Sequence, residues 1–238
     1  ILRVATAFFL FFLRVKSPQL NVQKRTLDNG LTLLILEKHD IPVVSSTIWY
    51  HVGSANETKG RTGISHFLEH LLFKGTPSYG KGAIDSLTAA NGGYNNAGTI
   101  FDYTMYYFNF SSDRWELALE LEADRMRNCL FDPQEFEAER KVVIEELQIG
   151  RDGPWTELDE TLEAVAFTAH PYKNPIIGWP SDIANWTQDD LETFYRRYYA
   201  PNNITMVFAG DVTPEEIYLL TDQYLSSLKR QHPPEPVT

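Results

Sequence analysis

The stretch Gly63-Ile64-Ser65-His66-Phe67-Leu68-Glu69-His70-Leu71-Leu72-Phe73 decides how the rest of the chain is read. Its apolar spacing suits a mostly buried helix. Each helical residue advances about 100°, so residues four apart lie within about 40° of each other on one face. His66 and His70 therefore stand side by side, one turn apart, as a shared metal ion requires. Glu69 follows His66 by three residues and leans toward the same face. Two neutral imidazoles with one carboxylate from elsewhere would make a three-ligand zinc site whose fourth position stays open for water. Zinc lowers the pKa of such a water toward neutrality, and an unligated carboxylate beside it can take the proton.

The order His-x-x-Glu-His reverses the arrangement common among zinc peptidases and is a recognised variant of it. The plainer alternative is a chance meeting of two buried histidines and a surface glutamate in a chain with six histidines.

A zinc hydrolase needs one more acid, and the best run for it is Asp132-Pro133-Gln134-Glu135-Phe136-Glu137-Ala138-Glu139-Arg140-Lys141-Val142-Val143-Ile144-Glu145-Glu146-Leu147. Asp132 suits an N-cap, Pro133 the first turn, and Glu135 completes a capping-box-like pair. Glu139 and Glu146 are two heptad-spaced turns apart and share a face, whereas Glu145 points about 100° away from Glu146. Val142, Val143 and Leu147 make part of this helix apolar. An acid beside that stripe is either a salt-bridged core edge or a ligand. Without the histidine pair, the run would read as a solvated acidic face.

With these residues in view, the chain resembles the pitrilysin family, which includes insulin-degrading enzyme and the mitochondrial processing peptidases. The resemblance rests on His66-Phe67-Leu68-Glu69-His70, on Glu139-Arg140-Lys141-Val142-Val143-Ile144-Glu145-Glu146 and on the gap between them. It rests also on Gly92-Gly93-Tyr94-Asn95-Asn96-Ala97-Gly98-Thr99 with Asp102, Thr104 and Tyr106. It extends over about residues 24–230. The resemblance implies that His66, His70 and Glu146 are the zinc ligands, that Glu69 is the general base, and that Glu139 supports a ligand from behind. It further implies that Asn96 and Ala97 hold the backbone of a peptide or unfolded polypeptide beside the metal.

The apolar fraction of 43% is ample for a core, and the formal net charge of −11 argues against nucleic acid as a partner. It suits an enzyme that attracts basic peptides. A single cysteine, Cys129, excludes an internal disulfide. Residues 1–20 stand apart: Val4 to Leu13 is a continuous apolar run between Arg3 and Arg14, too short to span a bilayer but as long as the core of an export signal. A buried strand or docked helix is the alternative. The compartment is thus periplasmic or extracellular if the run is a signal, and cytoplasmic otherwise. No membrane partner is otherwise indicated.

Residues 21–230 read as one domain. Leu27-Asp28-Asn29-Gly30-Leu31 carries a hairpin signal, because Asn and Gly tolerate positive φ. Strands are expected over 31–36, 43–52, 102–110 and 203–209, and an edge strand or loop over 95–99. Helices are expected over 83–90, 115–127, 132–150, 155–168, 187–199 and 213–228, the last opening with a capping box. Leu117, Leu119, Leu121 and Met126 are the core contacts expected of the second of these. His51 and His170 are histidines of a strand end and a loop, with no role expected in the site. Residues 231–238 read as a stiff proline-rich linker.

Few connections look like βαβ crossovers, so the fold class is α+β, a largely antiparallel sheet packed on one side by helices. Members of the family carry two or four such domains closing as a clamshell around a chamber. The resemblance therefore implies a second pitrilysin-like domain, in cis beyond the linker or in trans as a partner subunit. The functional expectation is a zinc-dependent endopeptidase. The competing ones are a zinc-binding half-enzyme that is inactive alone, and a non-catalytic peptide-binding subunit.

Overall fold

The computed structural model describes residues 20–232. The apolar run near the N-terminus and most of the proline-rich tail lie outside the described residues. Six strands form one sheet in the order β1-β2-β6-β3-β5-β4. They are β1 (Gln23–Thr26), β2 (Thr32–Glu37), β3 (Val43–Tyr50), β4 (Tyr94–Thr99), β5 (Thr104–Ser111) and β6 (Ile204–Gly210). All pairings are antiparallel except β2 with β6, which places Leu33 beside Met206 and Ile35 beside Phe208.

Each long strand buries alternate residues. Leu33 and Ile35 of β2, Val44 and Ile48 of β3, Tyr106 and Phe108 of β5, and Met206 and Phe208 of β6 all lie in the core. Period-two burial means that one face of the sheet is covered, and helices cover it. These are α1 (Ile64–Leu71), α2 (Ala83–Ala90), α3 (Glu116–Asn128), α4 (Pro133–Arg151), α5 (Pro154–Ala166), α6 (Pro180–Asn185), α7 (Gln188–Tyr198) and α8 (Pro214–Leu225). The class is α+β, as the sequence implies. Among the described residues, no helix is long and apolar enough to cross a membrane.

Several local details differ from expectation, each for a physical reason. In the first hairpin, positive φ falls on Gly30 alone. Asn29 instead turns inward, donates to the carbonyl of Leu225 at 2.9 Å and accepts from the Leu31 N–H, so it ties the hairpin to the end of α8. Asp132 caps α4 as expected, but Glu135 pairs with Lys81 at 2.7 Å rather than completing a box. Thr213 accepts from the Glu216 N–H to start α8. Helix α6 was not foreseen, because six residues opening on Pro180 are too few to show a period. The polar side of α3 is not all solvated: Arg125 and Glu122 form an ion pair with both side chains in the core. The guanidinium lies 4.0 Å from the centre of the Tyr106 ring, so its burial is offset by charge pairing and by an aromatic face.

Candidate metal centre

Helix α1 is fixed at its start by backbone crowding. Gly63 has φ 84° and Gly178 φ 93°, and a Cβ on Gly63 would stand 2.3 Å from the Ile177 carbonyl oxygen. Only glycine permits both the conformation and the approach. Glu57 then serves the orphan N–H groups of the first turn, accepting from Gly63 at 2.7 Å and from Ser65 at 2.8 Å. Burial pushes the Glu57 carboxyl up to about 8, with those two N–H groups pulling the other way.

Ile64, Phe67, Leu68 and Leu71 anchor the inner face of α1. Phe67 stacks on Trp186 and meets Phe136 of α4 edge-on, with ring centres 5.0 Å apart. That contact brings α4 against α1. Along α4, Phe136, Glu139, Val143 and Leu147 form the buried stripe, and Glu146 stands at its solvent edge. Of the three apolar residues that mark this helix in sequence, Val143 and Leu147 are buried, whereas Val142 is 45% exposed, because it lies on the outer side of that stripe.

Three side chains converge where the two helices meet. His66 Nε2 and His70 Nε2 are 3.2 Å apart. The carboxylate oxygens of Glu146 lie 3.7 Å from the first and 3.6 Å from the second. Around a tetrahedral zinc with bonds of about 2.05 Å, neighbouring ligand atoms stand about 3.3 Å apart. The donor set of two imidazoles and one carboxylate, at these separations, fits such an ion. Among the described residues it is the one His/Cys/Asp/Glu group with the spacing of a metal site.

The supporting contacts are specific. His70 Nδ1 donates to Glu139 Oε1 at 2.9 Å, and Lys74 Nζ pairs with the other oxygen at 2.5 Å. Since an ionised carboxylate can only accept, the Nδ1–H tautomer of His70 is selected and its Nε2 lone pair faces the centre. Burial works to raise Glu139, but the bonds from His70 and Lys74 outweigh it and hold the carboxyl below its ordinary value. Burial works to lower His70, but Glu139, Glu146 and Glu69 carry it above the usual imidazole value. Burial and the neighbouring His70 push His66 down to about 3, which keeps it neutral, the form that can ligate.

Glu69 is not within this set of three. Its Oε2 accepts from Thr99 Oγ1 of β4 at 2.5 Å, which turns the carboxylate toward the sheet edge. Burial raises the Glu69 carboxyl, and the Thr99 hydroxyl opposes that shift. Strand β4 is last in the sheet order, so one side of its backbone has no strand partner. There the Ala97 N–H is held by Asn96 Oδ1 at 2.9 Å. An edge of this kind can accept an extended peptide by main-chain hydrogen bonds.

His66, His70, Glu146, Glu139 and Glu69 are therefore neighbours, and Asn96 and Ala97 lie on the strand that Glu69 touches. His51 bonds Thr205 and His170 accepts from the Tyr172 N–H, both apart from the centre. Sequence reasoning missed Thr99, Lys74 and Glu57, whose roles depend on contacts between separate elements.

Comparison with known proteins adds a family to this geometry. The profile of the insulinases, peptidase family M16, matches residues 33–179. That of the peptidase M16 inactive domain matches residues 185–238. The zinc protease PqqE of Helicobacter pylori is 37% identical over 206 residues, which cover 86% of this chain and 46% of that protein. The uncharacterized zinc protease YmxG of Bacillus subtilis is 30% identical over 192 residues, 81% of this chain and 47% of that one. Among solved structures, a protease from Helicobacter pylori superposes with a TM-score of 0.87 at 34% identity, covering 92% of this chain and 53% of that chain. The first half of the periplasmic protease PqqL from Escherichia coli gives 0.82 at 25% identity, covering 91% and 49%. The chain spans about half the length of the curated relatives it matches.

Proposed function

The chain belongs to the insulinase family of peptidases, family M16, and on that premise we propose that it is the metal-bearing domain of a zinc-dependent endopeptidase. His66, His70 and Glu146 are the residues that would hold the ion. The observation that carries this reading is the approach of the two Nε2 atoms to 3.2 Å, with Glu146 closing the set. A zinc ion bound by such a set supplies Lewis-acid activation of water and of a peptide carbonyl.

The remaining work belongs to the chain itself. Glu139 and Lys74 lock the orientation of His70. Glu69, half-buried and steadied by Thr99, takes the proton of the attacking water and returns it to the leaving amine. Its raised pKa brings it closer to neutrality, where a general base gains and releases a proton most readily. An extended peptide or unfolded segment adds to the free edge of β4. Asn96 releases the Ala97 N–H to the incoming backbone, so affinity comes from main-chain bonds that tolerate many sequences.

Residues 21–230 act as the peptidase domain in this reading, with the segment from 231 onward as a connector and residues 1–20 as an export signal or docked segment. The span of about half the relatives' length favours a second reading beside the first. In it, the domain binds zinc but cleaves only when a second family domain, in cis or in trans, completes the chamber. Glu69→Gln separates the base from the ligands: zinc is retained and cleavage of a quenched peptide is lost. Cleavage retained by zinc-loaded Glu69→Gln would refute the assignment of the base. Assay of the chain alone and with a second domain separates the two readings.

A further inference from the structure

A buried polar cluster lies behind Glu69, apart from the three converging ligands. Tyr50 at the end of β3, Tyr106 on β5, Arg125 on α3 and Tyr199 just after α7 are each at most 7% exposed. The rings of Tyr50 and Tyr199 stack with centres 4.1 Å apart, Tyr106 meets Tyr50 edge-on at 5.8 Å, and the Arg125 guanidinium lies over Tyr106. Glu122 accepts from two of the guanidinium nitrogens, Nε and Nη2. Nη1 and the three phenol oxygens have no hydrogen-bonded partner among the described residues. Buried polar groups are rarely left so, because an unmet hydroxyl or guanidinium nitrogen forfeits the bonds it made in water. Burial pushes the pKa of all three phenols up, so each stays protonated and keeps its donor.

Short steps connect this cluster to the site. The Tyr199 hydroxyl neighbours that of Thr104. The Thr104 hydroxyl has one proton for two acceptors, the Val52 carbonyl at 3.0 Å and Thr99 Oγ1 at 3.3 Å. Thr99 donates its own proton to Glu69 Oε2, so its oxygen is left to accept from Thr104. Tyr106 pairs with Ala97 across β5 and β4, so the cluster lies against the strand whose edge is free. Water suits the four unmet atoms better than an anion does. Phenols both donate and accept, as water requires, whereas Glu122 already cancels the charge of Arg125 and Glu69 adds negative charge nearby. We propose that Tyr50, Tyr106, Tyr199 and Arg125 hold internal water, and that the chain from this water through Thr104 and Thr99 positions the Glu69 carboxylate. In a chain whose bonds all point one way, each hydroxyl that accepts also donates more strongly, so Glu69 is held by more than a single threonine. The positioning role rests on the reading of Glu69 as the base given above, whereas the water does not.

High-resolution crystal structures of the zinc-loaded full-length polypeptide or complex, wild type and Tyr199→Phe, are the first arm of the test. Wild type is expected to show ordered water bonded to two or more of the four atoms. In Tyr199→Phe that water is expected to be lost or displaced and the Glu69 carboxylate to turn from its wild-type position. A dry cluster, phenols bonded directly to one another, or an inorganic anion on Arg125 would overturn the proposal, and so would a Glu69 carboxylate that does not move. The second arm is kcat, KM and zinc content for Tyr199→Phe, Thr99→Val and the two combined. Tyr199→Phe is expected to lower kcat about threefold with KM and zinc content at wild type, and to add nothing in the Thr99→Val background. Effects of the two that multiply independently would overturn the positioning role, as would a fall in zinc content or a rise in KM alone. Tyr50→Phe is the second variant should Tyr199→Phe fail to fold, with the same loss of water and the same fall in kcat expected. A wild type that holds the water but cleaves no peptide would refute the peptidase reading, and the turn of Glu69 in the variant crystals would still decide the positioning.

Discussion

His70 is held from behind by Glu139: the imidazole Nδ1–H donates to Oε1 at 2.9 Å, and Lys74 secures the other oxygen of the same carboxylate. The bond fixes both the ring plane and the tautomer, so that Nε2 faces His66 with its lone pair. Removing the charge should loosen the site without dismantling it. Glu139→Gln is expected to lower zinc affinity by about 10- to 100-fold, measured by competition with a chelator. Unchanged affinity would show that packing alone orients His70.

Thr99 stands in the same relation to Glu69. Its hydroxyl donates the hydrogen bond that steadies the carboxylate proposed as the base, 2.5 Å from Oε2. Thr99→Val keeps the shape of the side chain and removes the donor. If the paired enzyme cleaves peptide as proposed, kcat should fall on the order of tenfold while zinc content stays at wild type. A fall in zinc content with kcat per bound zinc unchanged would place Thr99 in metal retention instead.

The site was legible in the sequence only as far as local geometry reaches. His66 and His70 lie on one helix, so the period of the helix alone sets them side by side. Glu139 and Glu146 could be assigned to one face by the same rule. Periodicity could not tell where a neighbouring helix stops covering that face, and so Val142 proved exposed. Glu57, Thr99 and Lys74 come from other elements, and nothing in the run of residues says which loop or strand will arrive. A helix over 155–168 could be expected, but nothing in that reading says which way its side chains turn, and in α5 Trp155, Leu158, Leu162 and Val165 turn outward. The sheet was more legible, because alternation in β2, β3, β5 and β6 reports burial directly.

Close backbone packing at the head of α1 makes a sharp stability prediction. Gly63→Ala must adopt φ near 84° and push a methyl toward the Ile177 carbonyl, a backbone atom that cannot swing aside. The expected cost is more than about 2 kcal/mol in denaturant unfolding, with zinc affinity reduced as the helix shifts. A change within experimental error would mean that the crossing of Gly63 and Gly178 relaxes freely.

A pH dependence is expected far from the metal centre. His39 sits between Glu37 and Asp211, 2.7 Å and 2.6 Å away, and joins the ends of β2 and β6. Hydrogen bonds to Asp211 and then Glu37 raise its pKa above the usual imidazole value, and the bond from His39 lowers Asp211. The stability from a raised imidazole is fully present below its unfolded pKa and fades as pH rises through the folded one. That from the lowered carboxyl fades as pH falls through its own folded pKa. His39→Ala should therefore lower the unfolding midpoint at pH 6 and have a smaller effect at pH 9. Equal effects at both values would remove the charged clamp from the account.

The measurement that bears most directly on the central claim is zinc stoichiometry and affinity in wild type, His70→Ala and Glu146→Gln, each checked for cooperative unfolding. The account predicts about one zinc per wild-type chain and its loss from both folded variants, because each removes one of three converging ligands. A folded Glu146→Gln that binds zinc as tightly as wild type, or a folded wild type that binds none, would contradict it.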